Sequence, residues 1–238
     1  MSGEIAKLRY LALPRWTAGS VFAIALIVGA ALLAFPPAKV EKYLTIPAFA
    51  LGTAFGIAAI VFAVWAASVE FSSGTLQRTL TAEPIRSRVL GAKLICVLVG
   101  TAIVGLGAAA ASAGLSEIAA SNAGVSLDNG DLAKQVFSQV PSGLAYAGVG
   151  FGFGLLTRSM GGGITLALAL AFIADGIIGF IPGFENIGFG RLTHDVTSGL
   201  TGQGDTANGL GAALFGTVVW VAIMMVPGWL RFTRGDLK

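Results

Sequence analysis

From Thr45 to Val69 the chain runs for 25 residues without a charged side chain. A helix of that length rises about 37 Å, which exceeds the roughly 30 Å hydrocarbon core of a bilayer. Five further stretches are similarly apolar, so the predicted spans are 18–35, 46–69, 93–116, 140–157, 160–182 and 207–230. Apart from Lys93 at the lip of the third span, Asp175 in the fifth is their one internal charge. Strict alternation of apolar and polar residues is missing, which argues against membrane β-strands. Helices pair every backbone N–H and C=O within one segment, as lipid demands. Composition agrees: 55% of residues are hydrophobic and 11% charged, with a mean hydropathy of +0.82. A soluble domain carries about 25% charged residues. The expected fold class is all-α, a single polytopic transmembrane domain over residues 1–238 with six transmembrane helices.

The basic residues orient those helices. With the N-terminus inside, the inner segments hold Lys7, Arg9, Arg15, Arg78, Arg86, Arg88, Lys93, Arg158, Arg231, Arg234 and Lys238. The outer loops hold only Lys39, Lys42, Lys134 and Arg191. This bias predicts that both termini are cytoplasmic. It also accounts for the formal charge of +3 without invoking nucleic acid as a partner. The single cysteine, Cys96, cannot form an internal disulfide, and the single histidine, His194, cannot build a multi-histidine metal site.

The first span follows a basic lead but lacks a convincing small-residue cleavage site, so it is expected to remain as an anchor. Glu4–Trp16 mixes apolar and basic residues in the manner of an interfacial helix along the inner leaflet. Gly52/Gly56, Gly148/Gly152 and Gly150/Gly154 have the spacing that lets membrane helices approach closely, and packing inside the bundle is the expected use. Gly161–Gly163 after Arg158 suggests a tight inner turn, and Asp128-Asn129-Gly130 a turn in an outer loop. The glycine-rich stretch Glu185–Asp205 is the longest outer connection.

The inner loop between spans two and three is the most specific stretch. It contains Glu70, Gly74, Thr75, Leu76, Leu80, Pro84, Arg86, Arg88, Gly91 and Lys93. Ser72 and Ser73 could cap a short helix, on which Leu76 and Leu80 share one face. Pro84 would end that helix or begin the next one. The physical expectation is an amphipathic helix on the cytoplasmic membrane surface, with Arg86, Arg88 and Lys93 around the mouth of span three.

Asp175 has two readings. A carboxylate in hydrocarbon costs about 2.5–3.5 kcal/mol on insertion scales, so such groups usually face a bundle interior or a wet cavity. Asp175 could therefore line a substrate cavity or outer gate. Alternatively, span five breaks near Gly176 or Gly179 and holds Asp175 at outer-leaflet depth. His194–Asp195, in an outer loop, reads as a solvated pair, and no nucleophile-and-base constellation stands elsewhere.

The order Glu70, Gly74-Thr75, Leu76, Leu80, Pro84-x-Arg86 and Gly91-x-Lys93 resembles the inner loop of type-two ABC exporter permeases. That superfamily exports drugs, antibiotics and polysaccharides. The ending Phe232-Thr-Arg234-Gly-Asp236 is similar to the family's closing Phe-x-Arg-Arg-Asp, with Gly235 in place of one arginine. The resemblance implies that Glu70–Arg88 is the coupling element, with Lys93 among the coupling residues, and that its short helix docks on a separate ATP-binding cassette ATPase subunit. The chain shows no Gly-x-x-x-x-Gly-Lys-Ser/Thr phosphate loop, so ATP and magnesium would sit on that partner and this chain would bind no cofactor or metal. The resemblance further implies a second permease copy or related chain, a bacterial-type plasma (inner) membrane location, and efflux of an amphipathic or hydrophobic drug, lipid or peptide. Other classes explain less. An intramembrane enzyme needs paired polar groups at one depth. A secondary carrier or channel often shows several midplane charges and inverted repeats.

Overall fold

The computed structural model describes residues 12–72, 74, 85–202 and 206–234, with the backbone alone for Ser72 and Asp175. The described residues are mostly helical and contain no strand. Six helices are long and apolar enough to cross a membrane: α1 (Ala12–Ala34), α2 (Lys42–Ser72), α3 (Arg86–Asn122), α4 (Asn129–Thr157), α5 (Met160–Ile178) and α7 (Leu210–Arg234). A shorter helix, α6 (Phe189–Thr201), lies between α5 and α7. The chain is therefore a multi-pass membrane protein by helix length and composition. Of the expected interfacial helix, residues 12–16 belong to α1, and the rest lies outside the described residues.

Hydroxyl groups on these apolar helices donate to their own backbone: Thr17 Oγ1 to Leu13 O at 3.1 Å, Ser68 Oγ to Val64 O at 2.8 Å and Thr217 Oγ1 to Ala213 O at 2.8 Å. Each of these three hydroxyls thus has a partner without a second helix.

Helix α4 sits at the centre, and its glycines explain why. Successive residues turn by about 100°, so two positions apart face nearly opposite directions. Gly150 and Gly154 meet α2: a Cβ there would lie 2.8 Å from Ile60 O and 2.9 Å from Val64 O. Gly148 and Gly152 meet α7: a Cβ there would lie 2.6 Å from a Val221 methyl and 2.6 Å from Met224 O. The interleaved glycine pairs therefore serve two different neighbours. Gly228 on α7 completes the second contact, since its Cβ would come 2.8 Å from Gly152 O.

Three local expectations change. Asp128 caps α4, its carboxylate accepting from Asp131 N at 3.2 Å, so Asp128-Asn129-Gly130 starts a helix rather than turning a free loop. The sharp reversal between α4 and α5 falls on Arg158, left-handed at φ 54°, whereas Gly161–Gly163 lie inside α5 behind the Ser159 cap. The loop 185–205 contains α6, whose Phe189, Leu192 and Val196 are buried at i, i+3 and i+7. Phe189 meets the Tyr146 ring edge-on at 5.1 Å, and Trp220 Nε1 donates to Ile187 O at 2.8 Å.

Asp195 is not solvated, as its sequence context suggested, but fully buried. Its carboxylate accepts from Asn208 N at 3.0 Å, Asn208 Nδ2 at 2.9 Å and Ala207 N at 3.4 Å. It thereby ties α6 to the approach to α7. Each such bond to a charged acceptor contributes about 1.5–3 kcal/mol. Asp195→Ala is expected to open the α6–α7 junction to protease while leaving the spans helical. Mass spectrometry of limited digests checks this, and unchanged cleavage in that junction would refute the tie.

Candidate functional site at the basic end of the bundle

The ends of α2, α3, α4 and α7 meet at one end of the bundle, where the arginines of the expected inner face gather. Glu70 lies in the last turn of α2 and Lys93 in the second turn of α3. Lys93 Nζ stands 3.1 Å from Glu70 Oε1, and the two side chains are only 5% and 4% exposed. Lys93 Nζ also donates to Ala66 O at 3.3 Å. Ala66 and Glu70 are four residues apart on one face of α2, so a single ammonium reaches both.

The surroundings are apolar. Phe62, Ala63, Trp65, Leu90, Val97, Phe151 and Phe232 form one buried cluster beside the pair. At an effective dielectric near 20, charges at this separation attract by about 5 kcal/mol. Desolvation opposes this with several kcal/mol per ion. The pair therefore adds little net stability, but it penalises any other register of α2 against α3.

A second layer closes the end. Phe71 meets Phe232 edge-on at 5.7 Å, and the Arg158 guanidinium carbon lies 5.5 Å from the centre of the Phe71 ring. Arg158 Nη2 donates to Arg231 O at 3.5 Å, Arg86 Nη1 to Phe232 O at 3.4 Å, and Arg231 Nη1 to Leu156 O. Lysine and arginine near helix C-termini also complement the dipoles there. The residues Phe71, Arg158 and Arg231 carried no motif in the sequence. Their signal was position: each stands at a predicted helix end.

Glu70 and Lys93 are brought together, and Arg86 lies close by against α7. Arg88 is exposed on the first turn of α3. Gly74 is an exposed turn residue at φ 66°, its N–H reaching Phe71 O at 3.4 Å. It ends α2 in the left-handed conformation that glycine adopts without strain. Ser72 belongs to α2, and Ser73 lies outside the described residues. Helix α3 begins at Arg86, two residues after Pro84. Thr75, Leu76, Leu80 and Pro84 lie outside the described residues, as does Asp236. The Asp175 backbone is far from this end. It follows a π-helical stretch, Ala169–Ala174, and starts the four-residue segment Asp175–Ile178 that finishes α5.

Among the described residues, no group of three His, Cys, Asp or Glu side chains could hold a metal ion. A comparison with protein-family models finds no match, and searches of curated proteins and of solved structures likewise find nothing similar.

Proposed function

We propose that this chain is the permease subunit of an ATP-driven exporter, with its basic end in the cytoplasm. The observation that carries the reading is the buried Glu70–Lys93 pair. It clamps together α2 and α3, the two helices that bracket residues 73–84 within the segment resembling a coupling element. A push on that segment would reach α2 and α3 as one body, and through Phe71, Phe232 and Arg158 it would reach α7 and α4. The partner would be an ATP-binding cassette ATPase carrying ATP and magnesium, and a second permease copy would complete the pathway. The cargo class is an amphipathic or hydrophobic drug, lipid or peptide. Gly74, Thr75, Leu76, Leu80, Pro84, Arg86 and Arg88 would form or flank the docking surface.

Two measurements test this. Affinity-tagged chain purified from its native membrane is expected to bring down an ATPase subunit, and repeated failure to do so would count decisively against the proposal. In the reconstituted complex, Arg88→Glu is expected to lower cargo-stimulated ATP hydrolysis about fivefold or more, the scale of one lost polar contact. Its thermal stability, measured in parallel, serves as the control for a folding defect. Full stimulation in Arg88→Glu would remove Arg88 from the docking surface.

A further inference from the structure

At the end of the bundle opposite the Glu70–Lys93 pair, α2, α4, the π-helical stretch of α5, and α6 enclose an open cavity of ≈ 460 Å³. We propose that this cavity binds an uncharged, hydroxylated ligand. The inference stands independently of any role in ATP-driven export.

The chemistry of the wall selects the ligand. Among the described lining residues there is no Asp, Glu, Lys or Arg. The polar groups are neutral amides and hydroxyls, with His194 at the rim and its side chain 54% exposed. Gln139 is only 2% exposed, and its Nε2 has no hydrogen-bond partner among the described residues. Gln135 donates through Nε2 to Leu44 O at 3.3 Å, while its Oε1 accepts from no described residue. A buried amide without partners is unusual in a finished core and is common where a ligand or water completes the site. The terminal torsion of glutamine is soft, so a small rotation presents either amide to an occupant.

Gly52 adds to this. A Cβ there would stand 2.9 Å from Gln139 Oε1, so the absence of a side chain makes the notch in which the amide rests. Across the cavity, Thr197 Oγ1 already donates to Thr193 O at 3.1 Å. Its hydroxyl proton is used, so it meets an occupant as an acceptor. The wall therefore offers donors and acceptors together. A ligand hydroxyl can accept from Gln139 and donate to Thr197. An ammonium cannot accept, and a phosphate dianion cannot donate. Phe49 and Phe172 are exposed at the same opening, giving an apolar tail or the flat face of a sugar a surface to lie on.

The test uses the full chain in phosphatidylcholine nanodiscs prepared without glycoside detergent. His194 is the sequence's single histidine, so its carbethoxylation by diethylpyrocarbonate, read by peptide mass spectrometry, reports occupancy at the rim. n-Octyl-β-D-glucoside is expected to slow that reaction about fivefold or more, the scale of one well-made hydrogen bond. Octyl phosphate and octyltrimethylammonium should slow it far less. Free glucose separates the two sources of the same chemistry. Protection by glucose alone assigns a soluble sugar, and protection only by the octyl glucoside assigns the head of an amphiphile. Gln139→Leu should abolish protection. Thr197→Val, a change of similar shape, should weaken it and serves if Gln139→Leu fails to fold. Equal protection by all three octyl compounds, protection by neither hydroxylated probe, or full protection in both variants would overturn the proposal.

Discussion

Lys93→Ala is expected to destabilise the bundle by about 3–5 kcal/mol, because it removes the ammonium that faces the buried Glu70 carboxylate at 3.1 Å. Glu70→Ala should cost a similar amount for the opposite reason. The double variant Glu70→Leu/Lys93→Met should recover most of the loss, since apolar residues of similar size remove both desolvation penalties at once. The readout is built into the chain. Cys96 is its single cysteine, is buried, and follows Lys93 by three residues on α3. A thiol-reactive fluorophore in a thermal ramp should label Lys93→Ala well before the parent and label the double variant close to it. If the single variants melt like the parent, the pair does not hold α2 on α3. The double variant adds a functional contrast: restored stability with lost transport would support the mechanical role proposed for the pair.

The second large effect concerns α4. Gly152→Leu is expected to part α4 from α7, because even its first carbon would lie 2.6 Å from Met224 O and 2.7 Å from Met224 C. Backbone atoms cannot swing aside as a side chain can, so the helices must separate. Overpacking of this kind typically costs about 1–3 kcal/mol for small additions, and leucine should exceed that range. Gly150→Leu should do the same against α2. The control is Gly91→Ala on α3, where a Cβ meets nothing within 4 Å. That change should be neutral or should stabilise by up to about 1 kcal/mol through helix propensity. If Gly152→Leu were as well tolerated as Gly91→Ala, the close approach of α4 and α7 would be wrong.

The spans were legible because lipid imposes so simple a demand. A run such as Thr45–Val69 leaves few alternatives to a crossing helix. The glycine pairs were legible as packing signals, but not their partners, because the offset between Gly150 and Gly152 acquires meaning only once α2 and α7 flank α4. Helix ends were less readable: Asp128 and Arg158 lie among turn-forming residues, and the cap and the left-handed backbone that separate helix from turn are set locally. Helix α6 was hidden by the glycines at its ends and within it, Gly188, Gly202 and Gly199, which dilute the apolar stripe Phe189, Leu192, Val196. Asp195 looked solvated because its partners, Ala207 and Asn208, are 12 and 13 residues away. The pairing of Glu70 with Lys93 crosses a 23-residue separation that no local periodicity encodes, although both residues had been singled out.

Helix α3 also serves as a ruler. It has 37 residues, so it measures about 55 Å end to end, far more than a hydrocarbon core requires. Its two charged residues beyond the first turn are Lys93 and Glu117, about 36 Å apart along the axis. That interval is close to one membrane thickness with its margins. Arg88 and Arg86 stand five and seven residues before Lys93, about 7.5 and 10.5 Å further along the axis. In the export reading proposed above, a partner docking beside Arg86 and Arg88 would act on the end of one continuous 37-residue helix.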